Sequence, residues 1–430
     1  TKMAFDLTTS LSKLKLRSFE APLKTCLGIK LPGITSESRE TVLKLLEENH
    51  KNFDIFFKKG FHNHCVHHLL AAYSCGASPE LLKSIYEKNT KPLKPRHPPK
   101  VSITTDNWTN YLGKDDLWTD YFMFFDGRIK EHGMLKTFET YAFHPDMIHR
   151  LFSGALHPII HIGYGFEFQL PLILAEGLAE AAVQGTRLDK LLNEQFWSSK
   201  GSEKSIMDII TDVQEDQSLD DALSYNDDMK IVKLLNERVD TVREHCAKWS
   251  VIETEEGVEK ATRELYEACA LAFGATAIRP DKNAIKMDFF LMHGLTSVYF
   301  VSLILPHVDL RKRIALLRAE FSAVLSFYIS RGRPQLHLDA LKNYTPKKLQ
   351  EKPNPWLDLV KHGLLEDEDA HLIKVVRSLM RADENWGSEK DSLFTKIALM
   401  AVEEYEKTEW SYNGIGFEEE WKDEKDQTSI

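Results

Sequence analysis

Four histidines crowd one short stretch of this sequence. "FHNHCVHHLL" holds His62, His64, His67 and His68 within seven positions, although the chain has only 17 histidines in 430 residues. The apolar run that follows, "LLAAYSCGASPELL", is typical of a buried helix. On that helix His64 and His68 are four residues apart and project from one face. Two imidazoles with this spacing can bind one metal ion, as they do in helical zinc and iron sites.

Two further apolar segments carry histidines. "HPIIHIGYGFE" repeats the four-residue spacing with His157 and His161, and "FFLMHGLTSVYF" contains His293 alone. An ionisable group in so apolar a helix needs a partner that offsets its burial. Structural interpretations also exist, with His62 and His67 as surface residues at a helix N-terminus and His293 as a hydrogen-bonded core residue. The coincidence of three such segments favours a shared metal site.

The available donors limit the identity of the metal. A structural zinc site prefers thiolates, and the cysteines lack ligand spacing, so a nitrogen-rich site suits iron, zinc, copper or nickel. Glu167 and Glu176 follow the second histidine pair and are candidates for an anionic ligand. A ferritin-like di-iron centre would use two Glu-x-x-His motifs and two further glutamates. The sequence contains two Glu-x-x-His motifs, in the runs "LLEENHKN" and "EDEDAHL". Both runs are highly charged and typical of solvated helix faces, which disfavours a di-iron centre.

A lysine is a second candidate for the anionic ligand. "AHLIKVVRSLM" places Lys374 one turn after His371. A lysine that burial makes neutral can react with CO2, and the resulting carbamate binds metal through oxygen. The alternative is that Lys374 snorkels and keeps its ammonium at the surface. Lys374 forms a polar stripe with Arg377 and Arg381, and this stripe by itself favours the surface interpretation. Both interpretations stay open at this point.

Composition indicates a soluble enzyme. Hydrophobic residues make up 43% of the chain and charged residues 28%, which is ordinary for a globular protein. The net charge of −10 argues against a nucleic-acid binder. Five scattered cysteines without a CxxC pair favour a reducing compartment. The N-terminal stretch lacks the apolar core of a signal peptide, and "FQLPLILAEGLAEAAV" is interrupted by proline and glutamate, so we expect no membrane span and a cytoplasmic location.

Helical periodicity dominates the elements that must position these residues. "SESRETVLKLLEENHKNFDIFF" offers Ser36 or Ser38 as N-cap, and "SPELLKSIYEKN" offers Ser78 followed by Pro79. Aromatic residues before an Asp-Gly pair in "YFMFFDGRIKEHG" (121–133) predict one isolated hairpin. Further helices are predicted within 146–184, 203–213, 227–249, 255–275, 287–304, 308–331, 366–382 and 390–409. The fold class predicted is all-α, with roughly 60% helix against the usual third.

We predict a single large helical domain over residues 1–430, with long loop insertions and the metal site between helices. No composition change separates independent domains. Loosely ordered stretches are expected near 211–230, which is acidic, and near 416–430, which is polar. The proline-rich stretch 87–100 is expected to be a stiff solvated connector.

Several common cofactor motifs are missing from the sequence. The Gly-x-Gly pairs in "GYGF" and "GIGF" lack the third glycine and the preceding strand of a dinucleotide fold. No Walker A, Gly-x-Ser-x-Gly or His-Glu-x-x-His motif occurs. A flavin or nicotinamide domain is therefore not recognisable.

Four motifs together resemble the questin oxidase-like family of fungal polyketide clusters, which includes Baeyer–Villiger-type oxidases. They are "GFHNHCVHHLLAAYSCGASPELL", "HPIIHIGYGFEF", "MHGLTS" and "HLIKVVRSL", and the resemblance extends from about residue 40 to about residue 410. It implies oxidative cleavage of an anthraquinone ring in secondary metabolism. The matching positions are His64, His67 and His68 in the first motif, His157 and His161 in the second, His293 in the third, and His371 with Lys374 in the fourth.

The family label ordinarily suggests a flavin and NADPH, but the sequence has no recognisable binding fold for either. We therefore predict a mononuclear non-haem iron site (Fe2+/Fe3+) at which O2 cleaves the central ring of an anthraquinone polyketide, by mono- or dioxygenation. The predicted metal ligands are His64, His68, His157, His161, His293 and Lys374, and the predicted proton-transfer residues are His67 and His371. NADPH is left open as an external reductant.

Other function classes stay open on the sequence. One is an NADPH-dependent Baeyer–Villiger-type oxidase without a metal. A second is a zinc or iron hydrolase that uses the same histidines to activate water. A third is a haem- or tetrapyrrole-binding protein with His293 as axial ligand. The last is a helical scaffold in which the histidines are structural. Metal content, O2 consumption and visible absorption distinguish these classes.

Overall fold

The computed structural model is predominantly helical. It describes residue 31 and residues 33–422, apart from 59, 200, 203, 348, 350–353, 367, 389–391, 406 and 408–409. Helices account for 66% of the structure. The strands among the described residues form two short antiparallel pairs, β1 (Phe56–Lys58) with β2 (Phe61–His62) and β3 (Ile278–Arg279) with β4 (Ala284–Ile285). The all-α prediction is confirmed.

The described residues divide into two compact units, each assembled from separate stretches of chain. Unit one consists of the described residues within Thr1–His144, His157–Gly185 and Leu364–Lys374, and unit two of those within Pro145–Leu156, Thr186–Gly363 and Val375–Ile430. The interpretation of 1–430 as a single domain stays a prediction.

Unit one contains most of the histidine motifs. Its helices are α1 (Ser36–Asn52), α2 (Cys65–Ser74), α3 (Pro79–Thr90), α4 (Trp118–His132), α5 (Met134–Ala142), α7 (His157–Glu167) and α8 (Pro171–Val183). The first three pack on one another, α4 and α5 pack on α8, and α2 packs on α7. The first residues of α18 (Ala370–Trp386) also belong to this unit.

Local capping chemistry explains where the first helices begin. Ser78 caps α3 by accepting a hydrogen bond from Leu81 N at 3.2 Å, and Pro79 occupies the first turn, as predicted. The cap of α1 is Thr35 and not Ser36 or Ser38. The Thr35 hydroxyl accepts from Ser38 N at 3.0 Å while the Ser38 hydroxyl accepts from Thr35 N at 2.9 Å, so the two residues form a reciprocal capping box.

The hairpin predicted at 121–133 is wrong, because this stretch belongs to helix α4. Tyr121, Phe122, Phe125 and Ile129 are all buried and follow the spacing of one helical face. This face packs against α8, so tertiary burial of the aromatic side chains outweighs the turn preference of the Asp-Gly pair.

Two glycines let α7 and α8 approach closely. A β-carbon at Gly165 would lie 2.8 Å from Leu174 N, and one at Gly177 would lie 2.8 Å from Ile162 N. Real side chains do not tolerate such contacts, so only glycine permits this packing. The close approach brings Glu176 of α8 to His161 of α7.

Unit two is built around three long helices that pack on one another: α13 (Glu255–Gly274), α14 (Phe289–Ile304) and α15 (Leu310–Ser330). Its other helices are α6 (Ile148–Leu151), α9 (Glu194–Ser198), α10 (Ile206–Glu215), α11 (Lys230–Glu237), α12 (Val239–Ala247), α16 (Leu338–Lys342), α17 (Trp356–Leu365) and α19 (Leu393–Tyr405). It also contains the larger part of α18.

One helix of unit two is apolar enough to cross a membrane by length and composition. The segment Phe289–His307 has a mean hydropathy of 1.6, and 78% of its most apolar window is buried within the structure. Such burial is typical of the core helix of a folded protein.

The stretch 211–230 is more regular than we expected from its acidity. Helix α10 extends into it as far as Glu215, and turns lead from there to α11. The Lys230 ammonium donates to the carbonyls of Tyr225 and Asp227 at 2.6 and 2.9 Å and so closes the turn. At the C-terminus, Trp421 Nε1 donates to Ile415 O at 2.8 Å, and residues 423–430 lie outside the described residues.

Candidate metal centre

The four histidines of the first motif lie at the junction of β2 and α2. Every residue of α2 is buried, so His67 and His68 project into the protein interior. His62 is also only 3% exposed, and its ring stacks on that of His157 with 4.1 Å between centroids. The interpretation of His62 and His67 as surface residues is therefore wrong.

Three histidines from distant parts of the chain meet in unit one. Ligand nitrogens of His64, His157 and His371 all lie within 4.8 Å of one another. His64 Nε2 and His157 Nε2 are 2.9 Å apart. We call these residues the three-histidine cluster. Neutral imidazole nitrogens converging at this spacing are a suitable donor set for a transition metal.

Hydrogen bonds at Nδ1 fix the tautomer of two members of the cluster. His64 Nδ1 donates to the carbonyl of His62 at 2.8 Å, and His371 Nδ1 donates to Asp369 Oδ1 at 2.5 Å. A hydrogen on Nδ1 leaves the lone pair of a neutral ring on Nε2. Carbonyl or carboxylate support of this kind is typical of histidines that bind metals.

His293 lies in unit two, on helix α14. It is fully buried, and its Nδ1 donates to the carbonyl of Phe289 at 2.7 Å, which places the lone pair of a neutral ring on Nε2. Its role as a metal ligand stays a prediction.

Lys374 is buried and not a surface residue. It is 2% exposed, and its Nζ has no hydrogen-bond partner among the described residues. Burial lowers the pKa of its ammonium to about 7, although Asp369 opposes this effect. The snorkelling interpretation is therefore wrong, because the apolar residues around Lys374 on α18 pack into the core together with it. A neutral amine in this position fits the requirement for reaction with CO2.

His161 takes part in a second buried network that also includes Glu176. Glu176 accepts from His161 Nε2 at 3.0 Å and from His50 Nδ1 at 2.6 Å. Burial alone would raise the pKa of Glu176, but the hydrogen bonds from His161 and His50 outweigh it and hold the pKa at about 2. Glu176 is therefore an anion that two histidines from different helices stabilise, and it is engaged with them on both oxygens.

Arg96 extends this network and was missed by the sequence analysis. Its guanidinium donates to the carbonyl of His50 at 2.9 Å and stacks on the rings of Trp118 and Phe122. The prolines of 87–100 suggested a solvated connector, yet Arg96 packs into unit one. Its neighbouring His97 forms a hydrogen bond with Asp54.

Glu180 is a further buried acid that the sequence analysis did not single out. Its two oxygens lie 3.4 Å from His62 Nε2 and 3.6 Å from His161 Nδ1. Burial raises the pKa of Glu180 to about 7. The available signal was its spacing, because Glu176 and Glu180 are four residues apart and face the same side of α8.

The remaining predicted site residues have other neighbours. His68 Nδ1 is 3.0 Å from Asn89 Nδ2, and burial lowers the pKa of His68 to about 4. His67 Nε2 is 3.2 Å from His161 Nδ1. Glu167 is the last residue of α7. His371, predicted as a proton-transfer residue, is a member of the three-histidine cluster.

A separate groove lies on the surface between α1 and the start of α8. Its volume is about 750 Å³, and its lining includes Leu43, Glu47, Lys51 and Ile173. None of the histidines discussed above lines it, so the groove does not mark the candidate metal centre.

Comparison with known proteins adds independent information. A family described as questin oxidase-like matches residues 61–379. The chain is 29% identical to "Oxidoreductase AflY" of Aspergillus parasiticus over 86% of this chain and 77% of the relative. It is 28% identical to "Baeyer-Villiger oxidase mdpL" of Emericella nidulans over 95% and 98% of the two chains, and 24% identical to "Questin oxidase" of Aspergillus terreus over 89% and 92%.

Proposed function

Because the chain belongs to the questin oxidase-like family, we propose that it uses O2 at a mononuclear non-haem iron site to cleave the central ring of an anthraquinone polyketide. The family resemblance predicted from the four histidine-bearing motifs is confirmed. The chain is an oxidoreductase, as predicted. The iron, the ring cleavage and the choice between mono- and dioxygenation are parts of the proposal.

The observation that carries the proposal is the three-histidine cluster. Hydrogen bonds at Nδ1 place the lone pair of a neutral ring on Nε2 in two of its members, and all of its donor atoms are imidazole nitrogens. Neutral nitrogen ligands suit iron, and His293, predicted as a ligand from the sequence, is proposed as a further ligand. His161 and His68 are left out of the proposed ligand set, because Glu176 and Asn89 are their hydrogen-bond partners.

Lys374 completes the proposed donor set as a carbamate. The uncharged amine attacks CO2, a C–N bond forms, and one proton leaves, which produces an anionic oxygen ligand. An anion offsets the charge of a cation bound by neutral histidines. Iron supplies the redox chemistry that lets O2 react with a closed-shell aromatic molecule. The protein residues hold the metal, exclude water through their burial and bind the flat substrate.

We also propose a cytoplasmic location, with a small aromatic polyketide and O2 as the reacting partners. NADPH stays open as an external reductant. No disulfide joins the four cysteines within the described part of the chain, and all four are buried, which fits a reducing compartment. Cys26 lies outside that part.

The test is metal content together with O2 consumption. We expect about one iron per chain in the wild type, lost in His157→Ala and His293→Ala. His245→Gln is the matched control, since it removes a buried histidine whose partner is Asp216. Lys374→Met should lose iron, and acetate should restore it by supplying a carboxylate. A metal-free, O2-independent wild type contradicts the proposal, and zinc without O2 consumption favours hydrolysis.

A further inference from the structure

Hydrogen bonds join Glu176, His161 and His67 in one line through unit one. Glu176 Oε2 accepts from His161 Nε2 at 3.0 Å, and His161 Nδ1 lies 3.2 Å from His67 Nε2. All three side chains are at most 2% exposed, so bulk water does not compete for these contacts.

The carboxylate sets the direction of every hydrogen bond in this line. An ionised carboxylate only accepts, so His161 carries its hydrogen on Nε2. The Nδ1 of a neutral His161 is then an acceptor, and His67 donates to it from Nε2. A neutral His67 consequently presents a lone pair on Nδ1. Glu180 does not compete for His161 Nδ1, because the 3.6 Å between them exceeds a hydrogen bond.

That lone pair is not used within the protein. His67 Nδ1 is buried and has no hydrogen-bond partner among the described residues. The ring is held between neighbours, stacked on Tyr164 with 5.2 Å between centroids and lying 6.1 Å from the ring of His157. A rigid, buried acceptor without a donor beside a candidate metal centre indicates a position for a ligand's hydrogen-bond donor.

We propose that His67 Nδ1 accepts a hydrogen bond from a hydroxyl group of the aromatic substrate, and that His161 and Glu176 are positioning residues that hold His67 in the accepting tautomer. The inference rests on the proposed function for the class of substrate. It predicts selectivity, because a methyl ether has no hydrogen to donate and would leave His67 Nδ1 unsatisfied. The three residues therefore select hydroxylated rings over methoxylated ones.

Equilibrium binding to the metal-free full-length protein tests this selectivity without turnover. The probes are the two monohydroxyanthraquinone isomers and their methyl ethers, which cover both kinds of ring position. The wild type should prefer the hydroxyl form by about tenfold or more in at least one pair. His67→Phe and Glu176→Gln should bring the ratio of the two affinities, hydroxyl form over methyl ether, close to one. Glu176→Asp keeps the carboxylate and should therefore retain part of the preference.

Glu320→Gln is the matched control for the loss of a buried carboxyl group. Glu320 lies on α15 in unit two, and its partner is Ser297. This variant should keep the wild-type ratio. Circular dichroism verifies that each variant is folded. Nitrogen-15 NMR should show His67 Nδ1 without a proton in the wild type and with one in Glu176→Gln, because the glutamine amide donates where the carboxylate accepted.

Different results would contradict the hydroxyl contact of His67 and the proposed function on which it rests. An unchanged ratio in folded His67→Phe, or a proton on His67 Nδ1 in the wild type, overturns the hydroxyl contact while leaving the iron site intact. If no anthraquinone binds the wild type, the substrate class is wrong, and the named ligand of His67 is wrong with it.

Discussion

His64 Nε2 and His157 Nε2 face each other at 2.9 Å, although 93 positions separate the two residues along the chain. Two nitrogens bound to one metal at about 2.1 Å and at right angles are roughly 3 Å apart. The observed spacing therefore matches neighbouring positions in one coordination shell. Helix α7 positions His157, and the turn before α2 positions His64.

This pairing predicts strongly non-additive effects on metal affinity. His64→Gln and His157→Gln should each remove most of the affinity for Fe2+, and the double variant should lose little more, because either change destroys the shared site. Chelator competition measures the affinity. Combining His157→Gln with the control His245→Gln should give additive effects. Additive losses in the His64/His157 pair would indicate two independent sites.

Asp369 should support metal binding without contacting the metal. Its carboxylate accepts from His371 Nδ1, and replacing it by asparagine allows the other tautomer of the ring. We expect Asp369→Asn to weaken Fe2+ binding by about 10–100-fold. Asp116→Asn is the control, because Asp116 pairs with Lys100 at the surface and should leave the affinity unchanged. Equal affinities in the two variants would contradict a supporting role for Asp369.

Glu320 should make the free energy of unfolding depend on pH. Burial raises its pKa from 4.5 to about 8, and the hydrogen bond with Ser297 opposes this only in part. Between those values the folded state keeps a proton that the unfolded state has lost, so stability falls as pH rises. The loss is at most a few kcal/mol. Glu180, whose pKa burial raises to about 7, contributes a fall of the same sign in both proteins. Denaturant titrations from pH 5 to 8 should therefore show a steeper fall of the free energy of unfolding in the wild type than in Glu320→Gln, and equal slopes in the two proteins would refute this assignment.

The close packing of α7 and α8 should not tolerate a methyl group. Gly165→Ala places a β-carbon 2.8 Å from Leu174 N, so we expect a loss of about 1–3 kcal/mol in the free energy of unfolding. The backbone must shift, which also weakens the contact between His161 and Glu176. Gly127→Ala is the control: it lies in α4 with nothing within 4 Å, and should stabilise by up to about 1 kcal/mol. Calorimetry distinguishes the two outcomes.

The all-α fold class could be predicted because helix caps and the helical spacing of apolar residues are local features of the sequence. Ser78 and Pro79 start α3 as the sequence predicts, and most later helices lie within the predicted ranges. The error at 121–133 has a long-range cause. An Asp-Gly pair favours a turn, but burial of Phe122 and Phe125 against another helix decided the outcome.

The sequence by itself determined that this protein is helical, that its histidines occur in apolar segments, and that its motifs are those of the questin oxidase-like family. These properties follow from residue types and from spacings of three and four, which are local. Tertiary structure alone decided that His161 binds Glu176, that Lys374 is buried, and that His64 meets His157. Such relations depend on which helix faces pack together, and spacing along a single segment does not encode that choice.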